Sequence, residues 1–422
     1  PGPSPPPSRP GSPAGPAPSL DGPSLVGTCL QMCPDAELRR RTDENEILRL
    51  EMPLPPSEGG GRDDNAHPRG WTLVDTAVKR FKRSSAGEVL NVPAWVRPEH
   101  VLERTCGYLE EWVMERDRQG PDPRFGGVAP DPLDVYQFVW DRTRMIRKDF
   151  IMQNYTGSSG RCSAAAVRCH ERIARWHAMM EHQLSHIPTF VTHQSQQNIQ
   201  ELGQTMKTLN LFYGDAAGRA TVELEGGPGG TPSPVHGCGS DHVAGPKTVD
   251  YDGTPLVPSR QAKVDGRLIR GGGGDGTCPP GHGTNEAEMR GLYMLLTLDN
   301  EGGMEVLNYA TRLRRDAPGV YRSPPVQLAL RVYKIRKADD YARFFGVLRH
   351  PATPYLAACV MYKYVEQMRE TALRIMSRTY APGDAYPLRE LVDLLCYEDV
   401  DEAAAACAHY GLVVEDVEAG ET

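Results

Sequence analysis

Long apolar runs are missing from this sequence. No stretch approaches the roughly 18 to 20 apolar residues that a membrane-spanning helix needs. The first residues are rich in proline and serine, where a secretory signal peptide would carry an apolar segment. Only ten cysteines are scattered over 422 residues, too few for a disulfide framework. These absences predict an unsecreted protein without membrane insertion, whose thiols stay reduced inside the cell.

An excess of one charge sign is also missing. The chain has 47 lysine and arginine residues against 55 aspartate and glutamate residues, a net charge of −8. Such mild acidity argues against coating of a whole face by polyphosphate, although a local basic patch could still hold a strand. The hydrophobic fraction is only 39%, beside 43 glycines and 37 prolines, so we expect part of the chain to stay outside the core.

Composition divides the chain into five parts. Ten prolines fall within the first 23 residues, which predicts a disordered, proline-rich tail over residues 1–24. Residues 214–283 hold 18 of the 43 glycines without helical or alternating periodicity, and we interpret them as a disordered insertion. Two helical-repeat regions remain, 25–213 and 284–380, followed by a winged-helix-like end at 381–422.

Nearly every ordered segment has helical periodicity. The clearest helix begins after Asp131, which is predicted as the N-cap, with Pro132 at the first helical position. Its apolar stripe comprises Val135, Phe138, Val139, Ile146 and Phe150. Four basic residues are expected on its outer face, namely Arg142, Arg144, Arg147 and Lys148. Because similar stripes recur without a β-rich interruption, the sequence predicts a mainly all-α fold of stacked antiparallel helical hairpins.

The C-terminal end has a different pattern. An amphipathic stretch around Leu391 and Leu395 precedes a second helical stretch over residues 401–409. Gly411 then leads into the apolar run 412–414, which favours a strand. Helix, helix, glycine and apolar run is the order of a small winged-helix unit, although the sequence offers no convincing return strand.

Signatures of catalysis and metal binding are incomplete. His170 and Glu171 match the first two residues of the zincin motif H-E-x-x-H, but Ala174 occupies the position of the second histidine. Cys29 and Cys33 could share a zinc ion, yet no second close pair of ligands accompanies them. We therefore interpret the two cysteines as small apolar anchors. We predict a protein that is not an enzyme and that holds neither a metal nor a cofactor.

Three local basic clusters are the candidate contact sites. They are Lys79, Arg80, Lys82 and Arg83 around Phe81; Arg142, Arg144, Arg147 and Lys148; and Arg312, Arg314 and Arg315. Positive patches in an acidic chain are typical of surfaces that contact phosphates or acidic partners. A solvated helix face is the commoner explanation for any one cluster, and the first could also be a nuclear import signal.

Several stretches together resemble one family. In chain order they are 27–34 with Glu37, Arg39 and Arg40; 77–87; 96–98 with Thr105, Tyr108 and Leu109; 138–149; 285–288; and 411–412. The run 138–149 reads Phe-Val-Trp-Asp-Arg-Thr-Arg-Met-Ile-Arg-Lys-Asp, which is long enough to be specific. Together these stretches resemble the GANP / Sac-three family of messenger-RNA export scaffolds, from about residue 25 to residue 417 outside the insertions.

The resemblance implies a stack of α-helical hairpins of the PCI type, capped by a winged helix. Family members of the export type pair this domain with a second PCI subunit and a small acidic subunit. Their joined winged helices then present a basic surface to RNA or DNA at the nuclear pore. A non-enzymatic scaffold of a nuclear messenger-RNA export complex is therefore the leading expectation.

The resemblance also leaves a second expectation. The large export scaffolds carry phenylalanine-glycine repeats before this domain, and after it a long helix that binds centrin and a small transcription cofactor. Neither feature is found in this sequence. A short family member, acting as an interaction module at the centrosome and spindle and located at the centrosome and in the cytoplasm, is thus the alternative. The insertion 214–283 is not part of the family pattern and receives no function.

Overall fold

Helices make up almost all of the regular structure. The structure is a computed structural model that describes residues 25–54, 67, 70–83, 92–157, 160–225, 284–381 and 385–415. In these ranges the helices are α1 (Asp35–Asp43), α2 (Leu73–Thr76), α3 (Glu99–Trp112), α4 (Pro132–Met152), α5 (Ala164–Gln183), α6 (Pro188–His193), α7 (Ser195–Glu225), α8 (Thr284–Leu296), α9 (Met304–Asp316), α10 (Pro318–Tyr321), α11 (Pro324–Lys337), α12 (Tyr341–Leu348), α13 (Tyr355–Tyr362), α14 (Val365–Thr379), α15 (Leu388–Leu395) and α16 (Val400–His409). The mainly all-α class is confirmed.

Extended pairing is minimal in the same ranges. The described residues contain no strand, and one isolated bridge joins Asp122 to Val128. Short 3-10 turns link several helices, over Arg49–Glu51, Pro93–Trp95, Arg116–Arg118, Pro123–Phe125 and Asn300–Gly303. None of the helices described combines the length and the apolar character needed to cross a membrane.

Helix α4 begins where the sequence predicts. The Asp131 side chain accepts a hydrogen bond from the Leu133 N–H at 2.7 Å, and Pro132 is the first helical residue. The cap satisfies a backbone donor that has no partner within the helix, and proline lacks the donor altogether. Val139 and Phe150 are fully buried, so the apolar stripe of the helix faces the core.

The core connects helices that are distant in the chain. Helix α5 packs against α3, α7 and α13, while α8 packs against α7, α11 and α13. Trp176 of α5 stacks on Tyr136 of α4 with ring centroids 5.4 Å apart. The Tyr364 hydroxyl donates to the carbonyl oxygen of Leu295 at 2.8 Å. One buried apolar cluster contains residues of both helical regions, which therefore share a core.

An extended segment precedes α1 and lies along the turn before α3. The Thr28 N–H donates to the Pro93 carbonyl at 2.9 Å, and the Cys29 N–H donates to the Val96 carbonyl at 3.0 Å. Gly27 approaches Val96 so closely that a Cβ atom would stand 2.4 Å from its oxygen. Only glycine fits this close approach of two backbones.

Helix α7 extends beyond the boundary expected from the sequence. The sequence predicts that the glycine-rich insertion starts at Gly214, but the helix continues to Glu225 with Gly218 inside it. A helical glycine costs about 1 kcal/mol relative to alanine, a local preference that the rest of a long helix can override. The remainder of the predicted insertion and the predicted tail over residues 1–24 lie outside the described residues.

The C-terminal end contains two of the expected winged-helix elements. Helices α15 and α16 pack against each other, and α15 also packs against α12. Arg369 of α14 fixes this pair, since its guanidinium donates to Glu402 at 3.0 Å and to the Cys396 carbonyl at 2.5 Å. Residues 412–415 form neither helix nor strand, so the strand expected at 412–414 is absent from the described chain. A strand requires a neighbouring strand to bond with, and none of the described residues supplies one.

Candidate nucleic-acid interface

Lys79, the first residue of the first basic cluster, is buried. The residue is 4% exposed, and its ammonium group lies 2.8 Å from a carboxylate oxygen of Asp149. The other oxygen of Asp149 accepts from the Arg97 guanidinium at 2.7 Å. Burial lowers the pKa of Lys79, and Asp149 opposes that shift. Lys79 therefore joins its segment to α4 and is not available to a phosphate at the surface.

Arg142 is also buried, which corrects the prediction that it lies on the outer face of α4. It is 1% exposed, lies 3.2 Å from Glu51, and stacks over the ring of Phe138 at 4.4 Å. Arg41 of α1 pairs with the same Glu51. Burial alone would raise the pKa of Glu51, but Arg142 and Arg41 outweigh it and lower that pKa. The arginine thus ties the N-terminal segment to α4.

Arg147 is the second residue of α4 whose predicted outer position is wrong. It is 7% exposed and pairs with Glu201 of α7. Burial, and then the nearby Arg144, lower the pKa of Arg147 to about 10. Helix α4 is covered on more than one side, by the N-terminal segment as well as by α3 and α5, so its buried surface is wider than the apolar stripe. Of the four basic residues on α4, Arg144 and Lys148 remain partly exposed.

The remaining basic residues of these two clusters meet around Phe81. We call this surface the Phe81 patch; it comprises Arg80, Phe81, Lys82, Arg83, Trp140, Arg144 and Lys148. Trp140, Arg144 and Lys148 are spaced four residues apart and therefore form one ridge of α4. The Arg144 guanidinium lies 4.1 Å from the centre of the Phe81 ring and 4.5 Å from that of Trp140. Residues 80–83 and helix α4 thus form one surface on which cations lie next to aromatic rings.

Backbone bonds hold the segment that carries the Phe81 patch. The Phe81 N–H donates to Asp141 at 3.0 Å, and the Arg80 N–H donates to Glu37 of α1 at 2.9 Å. The Lys148 ammonium donates to the Lys82 carbonyl. These bonds direct the Phe81 side chain toward α4 and leave Arg83 exposed.

Acidic residues border the Phe81 patch and limit its positive charge. Glu46 lies 3.2 Å from the Arg80 guanidinium, and Glu201 lies 2.8 Å from that of Arg144. Burial, and then the positive charge of Arg83, lower the pKa of Arg144. The half-buried and exposed cations of the patch suit the phosphates of a nucleic-acid strand, while the Phe81 and Trp140 rings are in contact with Arg144.

The third basic cluster lies on a different helix. Arg312, Arg314 and Arg315 are exposed on α9, around the buried Leu313. Arg315 pairs with its neighbour Asp316 at 2.7 Å. Helix α9 packs against α10 and the preceding 3-10 turn, whereas α4 packs against α3 and α5. The three arginines therefore form a separate exposed basic surface.

Cys29 and Cys33 pack as small buried residues. Their thiols donate to the carbonyls of Gln31 at 3.3 Å and Pro34 at 3.8 Å. Burial raises the pKa of both thiols, to about 12 for Cys33, which favours the protonated form. Among the residues that the structure describes, no group of three or more histidine, cysteine or acidic side chains could hold a metal ion.

The sequence motifs that meet in this structure also match the model of one protein family. A model of the SAC3/GANP family matches residues 32–226 and 276–416, which is well over half of the chain. The chain belongs to the SAC3/GANP family. The match includes both helical regions, α1 to α16, and therefore also the segments that meet at α4.

Three relatives that this SAC3/GANP chain resembles are much longer proteins. It is 27% identical to SAC3 family protein 1 of Schizosaccharomyces pombe, over 93% of this chain and 30% of that protein. It is 25% identical to Protein xmas of Drosophila melanogaster, over 92% of this chain and 15% of that protein. It is 22% identical to SAC3 family protein B of Arabidopsis thaliana, over 89% of this chain and 17% of that protein. The chain thus spans less than a third of each relative.

The acidic partners of the α4 arginines in this SAC3/GANP domain come from distant parts of the chain, so helical periodicity does not predict them. Arg142 pairs with Glu51, which lies 91 positions earlier in the chain, and Arg147 pairs with Glu201, which lies 54 positions later. Asp149 holds Lys79 from 70 positions away. One signal was available: Arg142 lies four residues after Phe138 and four before Ile146, in register with the apolar stripe.

Proposed function

We propose that this chain is a non-enzymatic scaffold of a nuclear messenger-RNA export complex of the transcription-coupled type. It binds a second PCI subunit and a small acidic subunit, contacts RNA or DNA, and associates with the nuclear pore. The observation that carries the proposal is the SAC3/GANP match across both helical regions. The wide helical stack, which shares one core, supports it because a rigid scaffold needs surfaces fixed relative to one another.

The Phe81 patch is the proposed nucleic-acid contact. Arg83 is exposed, and Arg80 and Lys82 beside it are half-buried, so their charges reach solvent while Lys79 does not. Phe81 and Trp140 place aromatic rings among these cations. The affinity of such electrostatic binding falls as salt rises. For a single strand, the logarithm of the binding constant falls by about 0.7 per log unit of salt concentration for each phosphate that the protein contacts.

Two matched charge reversals test this contact. The first variant reverses three charges of the Phe81 patch, as Arg80→Glu, Lys82→Glu and Arg83→Glu. The control reverses three charges of α9, as Arg312→Glu, Arg314→Glu and Arg315→Glu. Oligouridine affinity is measured by fluorescence anisotropy over a salt series. The patch variant is expected to bind more weakly, with a salt slope reduced by about 2, and the control is expected to keep both values. Unchanged binding by the patch variant would mean that the Phe81 patch does not contact the oligouridine. A loss confined to the control would instead indicate a contact on α9.

Partner recovery tests the scaffold role. The 422-residue chain is purified from interphase nuclear extract at moderate salt, with and without nuclease, and the bound proteins are identified by mass spectrometry. A second PCI protein and a small acidic subunit in both samples would support the export scaffold through direct protein contacts. Centrosomal or tubulin-associated proteins in their place would support the alternative, an interaction module at the centrosome and spindle.

A further inference from the structure

The C-terminal end of the chain is strongly acidic. Residues 381–422 contain eleven aspartate and glutamate residues against one arginine, Arg389, and no lysine. Their formal charge of −10 exceeds that of the whole chain, which is −8. The family resemblance implies a winged helix whose basic surface meets nucleic acid, and this end has the opposite charge. A phosphate backbone would be repelled from it.

The acidic side chains of this end face solvent. The exposed ones among the described residues are Glu390, Asp393, Glu398, Asp399, Asp401 and Glu415. Helix α14 adds exposed Glu366 and Glu370 beside Tyr410, where both raise the pKa of the phenol after the contribution of burial. Two arginines contact this end: Arg369 is 4% exposed and pairs with Glu366 and Glu402, and the exposed Arg349 donates to the Asp393 carbonyl of α15. Arg374 and Arg378 lie further along α14, one and two turns beyond Glu370.

Apolar side chains are exposed among these carboxylates. Val413 is 83% exposed, more than any other large apolar residue in the described part of the chain. Val414, Tyr410 and Val400 are exposed as well. We call Glu366, Glu370, Tyr410, Val413, Val414 and Glu415 the C-terminal face; Glu370 and Glu366 act on the Tyr410 phenol, and the other three residues follow Tyr410 in the chain. Large apolar groups left in water beside like charges are typical of a surface that a partner covers.

We propose that the C-terminal face binds a basic segment of a partner protein, with its cations beside Glu370 and Glu415 and an apolar side chain over Val413. Charge complementarity selects this occupant, since nucleic acid and a second copy of the same acidic face would both be repelled. Apolar contact at Val413 supplies the part of the affinity that salt does not remove. The proposal goes beyond the export role and does not depend on it, because it concerns the chemistry of the partner at a surface separate from the Phe81 patch.

Matched peptides and a pair of charge variants test the proposal on the full chain. The probes are a labelled peptide of alternating lysine and leucine, its glutamate-leucine counterpart, and oligouridine. The test variant is Glu370→Lys with Glu415→Lys; the control is Glu111→Lys with Glu301→Lys, which makes the same change of net charge at exposed positions of α3 and of the turn before α9. Fluorescence anisotropy is expected to show a loss of about fivefold or more in lysine-leucine affinity for the test variant only. Equal losses in both variants would overturn the proposal, because attraction would then follow net charge.

A photo-crosslink locates the contact and identifies the occupant. Benzoylphenylalanine replaces Val413, and the chain is irradiated separately with each probe. Crosslinking to the lysine-leucine peptide, reduced by Glu370→Lys with Glu415→Lys, is the expected result. Crosslinking to oligouridine, crosslinking to a second copy of the chain, or failure to crosslink the lysine-leucine peptide would each overturn the proposal. Loss of the export partners would refute the proposed function while leaving this result intact.

Discussion

Lys79 tests whether one residue of the first basic cluster stabilises the fold as a buried ion pair, because the other basic residues of that cluster lie at the surface. Its ammonium lies 2.8 Å from Asp149 and also donates to the Trp95 carbonyl, with the side chain almost fully buried. The change Lys79→Met keeps the length of the side chain and removes the charge. Removing one partner of a buried ion pair costs about 3 to 5 kcal/mol. Because Asp149 keeps Arg97 at 2.7 Å, we expect about 3 kcal/mol, the lower end of that range.

The measurement is the free energy of unfolding from urea titration at fixed salt, with Arg83→Met as the matched control. Arg83 is exposed, so its change should stay within about 0.5 kcal/mol. Adding Asp149→Asn to Lys79→Met should destabilise the protein further, because Arg97 would then lose its carboxylate. A cost below about 1 kcal/mol for Lys79→Met, or equal costs for Lys79→Met and Arg83→Met, would refute the burial argument for this cluster.

Two further predictions concern backbone approach and pH. Gly27→Ala should destabilise the fold, since the new Cβ would meet the Val96 oxygen at 2.4 Å, whereas Gly107→Ala in α3 has open space and should stabilise it by about 0.5 to 1 kcal/mol in thermal melts. Burial lowers the pKa of His170 to about 4 and that of His177 to about 3, from 6.5. The unfolded state therefore binds protons first, so stability should fall as pH drops from about 6.5 toward 4, by roughly 1.4 kcal/mol per histidine at pH 5.5. A urea midpoint that stays constant between pH 7 and 5.5 would contradict this. Replacing both histidines with glutamine should reduce the slope and leave the part due to His67, whose pKa burial also lowers to about 4.

Local sequence signals predict the helices well. They do not predict the ion pairs of the candidate site, because these join residues that are distant in the chain. Asp131 and Pro132 fix the start of α4 because a cap and a first-turn proline act within one turn. The ion-pair partners of α4 could not be read in the same way, since Glu51 and Glu201 reach it from distant segments. The sequence contains one signal against an outer position for Arg142, namely its register with the apolar stripe. A charged residue in such a register indicates a buried pair whose partner is elsewhere.

The C-terminal end shows the other limit of sequence patterns. The apolar run 412–414 favours a strand by composition, yet a strand exists only when a neighbour satisfies its backbone groups. In the described chain that neighbour is absent, and Val413 is left exposed. Composition alone therefore identified an apolar segment correctly and could not say whether the chain itself or a partner covers it.

Local charge distinguishes the two proposed binding surfaces better than net charge does. An overall charge of −8 predicts weak attraction of nucleic acid for the chain as a whole. Yet Arg80, Lys82 and Arg83 cluster on one surface, while residues 381–422 alone carry −10. At physiological salt the Debye length is about 8 Å, so exposed charges act mainly on what contacts their own surface. The two proposed ligands, nucleic acid at the Phe81 patch and a basic protein segment at the C-terminal face, would therefore not compete for the chain, because each would be selected by the charge that it meets.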